Sequence, residues 1–335
     1  MPVALIYITD TGRSLAEKLT GLYPGAQVMK FASEAVPALW ETHGRLVFIM
    51  AAGIVVRTIA PLLRDKKKDP AVVVLDEKGK FAVSLLSGHL GGANEAAREI
   101  AAFLGGKAVI TTASDVNHLP SLDLWARDNG LLIEEWERVP RIGTRFLDRG
   151  TLYVYGEIDI PLPGAFQRVG EPARADVLIT NREDIYRESS SVPDRAVEQL
   201  YLRPRNLVLG IGCNSGTPLD EIEEAVRGVL HTYNLAFSSV RSLATIDIKA
   251  QEPGLVAFAE KYSLPLASFT PGELNRVPGV MKSEAVFRAT GAHAVSEPAA
   301  LLAAAEGALL VVPKQKVGNA TVAAAEQKYY TEKRN

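Results

Sequence analysis

The sequence predicts an α/β protein, and two observations carry the expectation. Short β-branched runs alternate with helical patterns from the first residues onward, as expected of βαβ units feeding a mostly parallel sheet. The same alternation resumes near Asn206 after a weaker stretch, so the pattern describes an N-terminal domain with an open, mostly parallel sheet, a less regular α+β middle segment, and a compact C-terminal α/β domain. The boundaries fall at about 1–120, 121–204 and 205–330, and 335 residues suit two or three domains of ordinary size.

Val3 to Ile8 predicts a first strand, Ser14 to Leu22 a helix, and Leu46 to Met50 a second strand. An apolar helix follows through Ile54 to Leu62, which Pro61 should kink or end. Val72 to Leu75 and Phe81 to Leu85 flank the polar turn Asp76 to Lys80 and predict a strand pair. The glycine-rich Ser87-Gly88-His89-Leu90-Gly91-Gly92 then leads into a helix from about Asn94 to Leu104, closed by Gly105 in a left-handed cap. Val109 to Thr112 reads as the domain's last strand.

Between Asp123 and Pro204 the periodicity weakens among Pro140, Pro161, Pro163, Pro172, Pro193 and Pro204, with short strands at Tyr153 to Val154 and Val177 to Thr180. Beyond it, strands are expected at Leu207 to Gly212, near Ala236 to Leu243, near Pro265 to Ser268 and at Leu309 to Val312, with helices between. Thr217-Pro218 and Thr270-Pro271 each place a capping threonine before a proline at the first helical position. The tail from Lys328 to Asn335 is charged.

Composition removes several function classes. Charged residues make up 23% and hydrophobic residues 47% of the chain, the profile of a soluble globular protein. With 37 basic and 39 acidic residues there is no basic field for a nucleic-acid backbone; Lys66-Lys67-Lys68 is the one cluster. No apolar stretch approaches a membrane span, and Pro2 to Tyr7 is too short an apolar run for a signal peptide. A single cysteine, Cys213, excludes an intramolecular disulfide and fits a cytoplasmic location. No dinucleotide GxGxxG, Walker loop or metal-spaced His/Cys set occurs, so neither a resident metal nor a cofactor is expected.

In open α/β sheets, ligands gather where strands turn into helices and free N–H groups point outward. Three segments fit: Ala51-Ala52-Gly53-Ile54-Val55-Val56-Arg57, Ser87 through Asn94, and Gly210-Ile211-Gly212-Cys213-Asn214-Ser215-Gly216-Thr217. His89 can pass a proton near neutral pH, or can simply bond to its own loop. Arg57 can grip a carboxylate or be a solvated helix charge. Asp65, which with Asp69 brackets three lysines, is the second choice of general base. Asn94 and Asp115 could orient a water or the histidine, although Asn94 also reads as a helix cap. Cys213 reads as a small packed residue or a nucleophile before a helix, and Lys249, Glu297 and Lys314 as ligand contacts or surface groups. The candidate catalytic set is therefore His89, Arg57 and Asp65. The candidate binding set is Gly53, Ser87, Gly88, Gly91, Gly92, Asn94, Asp115, Gly212, Cys213, Gly216, Thr217, Lys249, Glu297 and Lys314.

The first two glycine segments, read with Ile59-Ala60-Pro61-Leu62-Leu63, Asp65 through Val72 and Ile110-Thr111-Thr112-Ala113-Ser114-Asp115, resemble the N-terminal domain of the cobalt-precorrin 5A hydrolases of anaerobic cobalamin synthesis. The third resembles that family's C-terminal domain, together with Asp247-Ile248-Lys249, Glu252-Pro253-Gly254-Leu255, Val295 through Ala300 and Val312-Pro313-Lys314. One departure is Asn214-Ser215 after Cys213, where basic residues would be expected. The middle segment carries little of the likeness.

The resemblance implies a cobalt-bearing, ring-contracted tetrapyrrole substrate whose ring A-linked δ-lactone is hydrolysed with release of acetaldehyde, giving cobalt-precorrin 5B. That chemistry needs an activated water, oxyanion donors and a proton acceptor, and the expectation is that His89 activates water or takes the alcohol proton while the N–H groups of Gly88 to Gly92 and Arg57 stabilise the oxyanion. The resemblance also implies no cofactor beyond the cobalt carried by the substrate, which is its own electron sink, and transient hand-over to neighbouring pathway enzymes. Two rivals are a non-catalytic tetrapyrrole carrier and a hydrolase or transferase of a phosphorylated metabolite. Oligomeric state is not legible.

Overall fold

Strands and helices form here where apolar side chains recur at period 2 or 3.6, and three sheets result. The structure, a computed structural model, describes residues 2–65, 68–187, 198–280 and 282–328. Lys66, Lys67, Pro193 and most of the charged tail thus lie outside the described residues. The chain divides into two compact units, 1–125 and 126–335.

The first unit is built on β1 (Val3–Tyr7), β2 (Gln27–Lys30), β3 (Arg45–Ile49), β4 (Ala71–Leu75), β5 (Phe81–Leu86) and β6 (Lys107–Val109), in the order β2-β1-β3-β4-β5-β6. Its helices are α1 (Asp10–Leu19), α2 (Val36–Thr42), α3 (Ala52–Ile59), α4 (Ala93–Leu104), the single turn α5 (Ala113–Val116) and the start of α6 (Leu122–Asp128). The central strands read as continuous apolar runs because both of their faces are covered. On one face Leu5, Val47, Ile49, Val73 and Leu75 pack against α1 and the alanine-rich stripe Ala93, Ala96, Ala97, Ile100 of α4. On the other, Ile6, Leu46, Phe48 and Val74 meet Trp40 of α2 and Val55 and Ile59 of α3. Successive residues of one strand feed opposite cores, as period-2 geometry requires.

β4 and β5 form the expected hairpin. Asp76 ties its turn by accepting the N–H groups of Lys78 (2.9 Å) and Phe81 (2.7 Å). β5 consequently runs antiparallel to β4, while β6 is parallel to β5. That reversal decides where the candidate residues go.

Several expectations need correction. The first helix begins at Asp10, capped by Thr9, and β2 and α2 were not legible because their runs are short. The last strand is Lys107–Val109, and Thr112 instead precedes α5. The apolar helix ends as an α-helix at Ile59 and tightens into a 3-10 turn around Pro61, as proline dictates. Gly105 is left-handed, φ 71°.

In the second unit the middle segment is more regular than its sequence suggests. β7 (Leu131–Ile133), β8 (Leu152–Gly156), β9 (Phe166–Arg168), β10 (Val177–Ile179) and β11 (Leu200–Pro204) form one sheet, β7-β11-β10-β8-β9, parallel except for β7. Helix α7 (Val139–Arg149) supplies Ile142 and Phe146, the latter edge-on to Phe166 at 5.5 Å. Fully buried Asp176 is neutralised by Arg145 and Arg149 and accepts the N–H of Tyr153. Strands of three to five residues between charged turns give too little periodicity to read.

The third sheet, β14-β13-β12-β16-β15, comprises β12 (Leu207–Cys213), β13 (Val240–Ile246), β14 (Leu266–Phe269), β15 (Leu309–Val317) and β16 (Ala320–Glu326). It carries α8 (Leu219–Thr232), α9 (Pro253–Lys261), α10 (Pro271–Leu274), α11 (Glu284–Thr290) and α12 (Ser296–Ala303). Thr270 caps α10 in a full capping box with Glu273. Thr217 caps nothing: its hydroxyl donates to the Asn214 carbonyl (2.8 Å), and Pro218 holds the cap position of α8.

Candidate active site

β5 and β6 run side by side in one direction, so their carboxyl ends deliver Ser87 to Gly92 and Thr111 to Asp115 to the same place. The glycine loop is tight. Ser87 is left-handed at φ 55° and its hydroxyl donates to the Asp69 carbonyl at 3.0 Å. Gly91 must be glycine, since a Cβ there would lie 2.5 Å from Cβ of Ser87. The N–H groups of Gly92, Ala93 and Asn94 are taken by the carbonyls of His89, Ser87 and Gly88. Those of Gly88 to Gly91 donate to no other described residue.

His89 lies between two carboxylates. Nε2 is 3.0 Å from Asp115 Oδ2 and 3.3 Å from Ser114 Oγ; Nδ1 is 3.1 Å from Ser121 Oγ and 3.6 Å from Asp123 Oδ1. The Ser121 hydroxyl bonds in turn to Asp123. Asp115 is fixed by Arg98 on its other oxygen, Oδ1, and by Asn94 Nδ2, which donates at 2.9 Å to the same Oδ2 that faces His89. Asn94 is 4% exposed and is not the helix cap, a position held by Gly92; its amide instead spans Ser84, Thr112 and Asp115.

The electrostatics follow from this bracket. Asp123 first, then Asp115, hold the imidazolium and push the His89 pKa above 6.5 against the opposing effect of burial. Burial acts to raise Asp123, but His89 and Ser121 outweigh it and bring the carboxyl down to about 2. Burial likewise opposes Asp115, which Arg98 and His89 nevertheless hold below the usual carboxylate range. The arrangement can accept, hold and return a proton beside unclaimed backbone donors.

Not every candidate residue joins it. α3 leaves the carboxyl end of β3, whereas the reversed β5 ends at the opposite edge of the sheet. Gly53 therefore lies at the other end of the strands from the Ser87 loop, separated from it by at least the length of a strand. Arg57 is exposed and donates back to the Gly53 carbonyl at 3.0 Å. Asp65 lies on the His89 edge, where its carbonyl accepts the N–H groups of Lys68 and Asp69, but it is not among the partners of His89. Arg57 thus separates from His89, because one antiparallel strand reverses which strand ends are neighbours, whereas Asp65 stays on the same edge as the histidine.

A second polar cluster sits at the carboxyl ends of β12 and β13. Lys249 Nζ donates to Ser215 Oγ (2.7 Å) and to Glu252 (3.0 Å), and Glu252 also accepts the N–H of Gly216. Gly212 and Cys213 end β12, and burial pushes the Cys213 thiol up against the opposing charge of Lys249. Glu297 is buried and accepts the Lys314 N–H at 2.9 Å, a structural tie between α12 and β15.

Sequence reasoning passed over Ser121, Asp123 and Arg98. Ending the first domain at residue 120 hides the first two, although a serine directly before the helical run Leu122–Asp128 was a visible signal. Among the described residues no group of three or more His, Cys, Asp or Glu is placed to hold a metal ion, and no helix is long and apolar enough to cross a membrane.

Sheet and site together define an α/β protein with a histidine held between two carboxylates at the carboxyl ends of two parallel strands. Residues 34–115 match the family model described as cobalamin synthesis G N-terminal, and residues 207–325 match cobalamin synthesis G C-terminus. The chain is 38% identical to the cobalt-precorrin-5A hydrolase of Priestia megaterium, over 87% of this chain and 80% of that one. It is 32% identical to the enzyme of the same name from Salmonella typhimurium strain LT2, over 90% and 91% respectively. A probable cobalt-precorrin-5A hydrolase from Methanocaldococcus jannaschii is 26% identical over 98% of this chain and 99% of its own length. The chain belongs to the cobalamin synthesis G family of cobalt-precorrin-5A hydrolases.

Proposed function

We propose that the protein hydrolyses the ring A-linked δ-lactone of cobalt-precorrin 5A and releases acetaldehyde, yielding cobalt-precorrin 5B in anaerobic cobalamin biosynthesis. The observation that carries this is the His89–Asp115 pair beside the unclaimed N–H groups of Gly88 to Gly91, in a chain sharing 38% identity with a hydrolase of that name.

Attack on the lactone carbonyl builds negative charge on its oxygen, which those N–H groups stabilise. His89 carries the proton between the attacking group and the freed alcohol oxygen. Once that alcohol is deprotonated, the adjoining carbon–carbon bond breaks, acetaldehyde departs, and the electron pair enters the conjugated macrocycle. The substrate brings its own cobalt and its own electron sink, so the protein's work is positioning and proton transfer, without a further cofactor.

The reaction belongs to the cytoplasm, with the product handed to the next pathway enzyme. The test is acetaldehyde release from anaerobically prepared cobalt-precorrin 5A, compared between wild type and His89→Ala at saturating substrate. Binding without release by wild type would replace the hydrolase with a carrier.

A further inference from the structure

We propose that Ser121 is the nucleophile of the lactone opening, working through His89 and Asp115 by way of an acyl-serine; this rests on the hydrolase reading above. Three observations support it.

First, Ser121 occupies the cap position of α6, its carbonyl accepting the Trp125 N–H at 3.0 Å. A serine there normally caps the helix with its side chain. Here Asp123 Oδ1 accepts the Leu124 N–H instead, and the Ser121 hydroxyl turns to His89 Nδ1 at 3.1 Å.

Second, the far side of His89 is built as a nucleophile's base requires. Nε2 meets Asp115 at 3.0 Å, and Asp115 is itself locked by Asn94 and Arg98. The order serine, imidazole, carboxylate is complete, with the two ring nitrogens exchanged relative to the chymotrypsin arrangement.

Third, the Ser121 hydroxyl has one proton and two acceptors, Asp123 and Nδ1. When His89 is protonated, Nδ1 is a donor and the hydroxyl must point to Asp123. When His89 is neutral with Nε2–H facing Asp115, Nδ1 becomes an acceptor that competes with Asp123 for the hydroxyl proton, and donation to Nδ1 is the activated state.

The step balances. Oγ of Ser121 bonds to the lactone carbonyl carbon while its proton passes to Nδ1. The ring carbon–oxygen bond then breaks, and His89 returns that proton to the departing alkoxide, leaving an ester on Ser121. Water attacks the ester, giving a proton to His89. The Oγ–carbonyl bond breaks and Ser121 recovers the proton, so the net change is lactone plus water to hydroxy acid.

The test uses the full chain with two readouts. A fluorophosphonate probe, which needs only an activated serine and loses fluoride on reaction, is mapped by peptide mass in wild type, Ser121→Ala and His89→Ala. Acetaldehyde release from cobalt-precorrin 5A is measured on the same samples, with thermal melts to confirm folding. We expect labelling of Ser121 in wild type alone, and a loss of turnover in Ser121→Ala on the order of 10³-fold or more. Release by wild type without labelling, and with turnover retained in Ser121→Ala, would overturn the acyl-serine and leave the hydrolase. Labelling of Ser121 without any acetaldehyde release would support the nucleophile and overturn the substrate assignment.

Discussion

Nε2 of His89 lies 3.0 Å from Oδ2 of Asp115; the histidine is in the loop after β5 and the aspartate in α5 after β6, two strands that the sheet sets side by side. The contact is therefore a product of topology, and what fixes Asp115 should fix the histidine's chemistry.

Asn94 is the residue that makes this testable. Asn94→Leu leaves the Ser84 hydroxyl and one side of Asp115 without their partner. Loss of stability by about 1–3 kcal/mol is expected from unsatisfied buried groups, read from urea unfolding. Turnover should fall more than substrate affinity, because the base is displaced while the binding surface remains. Affinity falling with turnover untouched would contradict the arrangement.

The pH dependence has a definite sign. His89 is faced by Asp115, Asp123, Ser114 and Ser121, with Arg98 on Asp115, and its pKa is raised. The acidic limb of kcat/KM should accordingly lie above the usual imidazole value near 6.5, and Asp123→Asn should move it down by removing the largest cause. Stability gained by the charged histidine is fully present below about pH 6.5 and lost as pH rises through the folded value. The Asp123 contribution runs oppositely, present above about pH 3.9 and lost as pH falls toward about 2. Urea midpoints across pH check both; a limb unmoved by Asp123→Asn would contradict the bracket.

Much of this was legible in sequence. The hairpin turn at Asp76 to Lys80, the left-handed Gly105 and the Thr270 capping box all follow from local chemistry, and all appear where the residues place them. The companions of His89 were not. Antiparallel pairing of β4 with β5 is set by the hairpin, and it carries Gly53 and Arg57 to the opposite edge, although the segments containing them look equivalent in sequence. Ser121 and Asp123 escaped because they fall just past the boundary drawn at residue 120, and only the fold shows the Ser121 hydroxyl turned to the imidazole. The middle sheet escaped for want of length in its strands.

Arg57→Ala examines that separation directly. The side chain is exposed and, among the described residues, bonds its own helix at Gly53, so kcat for acetaldehyde release should stay within about 3-fold of wild type, against the ~10²–10⁴-fold expected for losing an acid/base group. A fall into the larger range would return Arg57 to the reacting oxygen.

Two glycine substitutions should have opposite signs. Gly91→Ala forces a Cβ to 2.5 Å from Ser87 and should destabilise by ~1–3 kcal/mol while impairing turnover through the loop. Gly143→Ala, in α7 with nothing within 4 Å, should stabilise by about 0.5–1 kcal/mol. Thermal or urea unfolding of the pair reads both.

The most direct measurement is acetaldehyde release under anaerobic, saturating cobalt-precorrin 5A by wild type and by His89→Ala, with binding followed separately through the tetrapyrrole absorbance. The account predicts release by wild type and a loss of about 10²-fold or more in the variant with binding retained. Equal release by both proteins would contradict the assignment of His89.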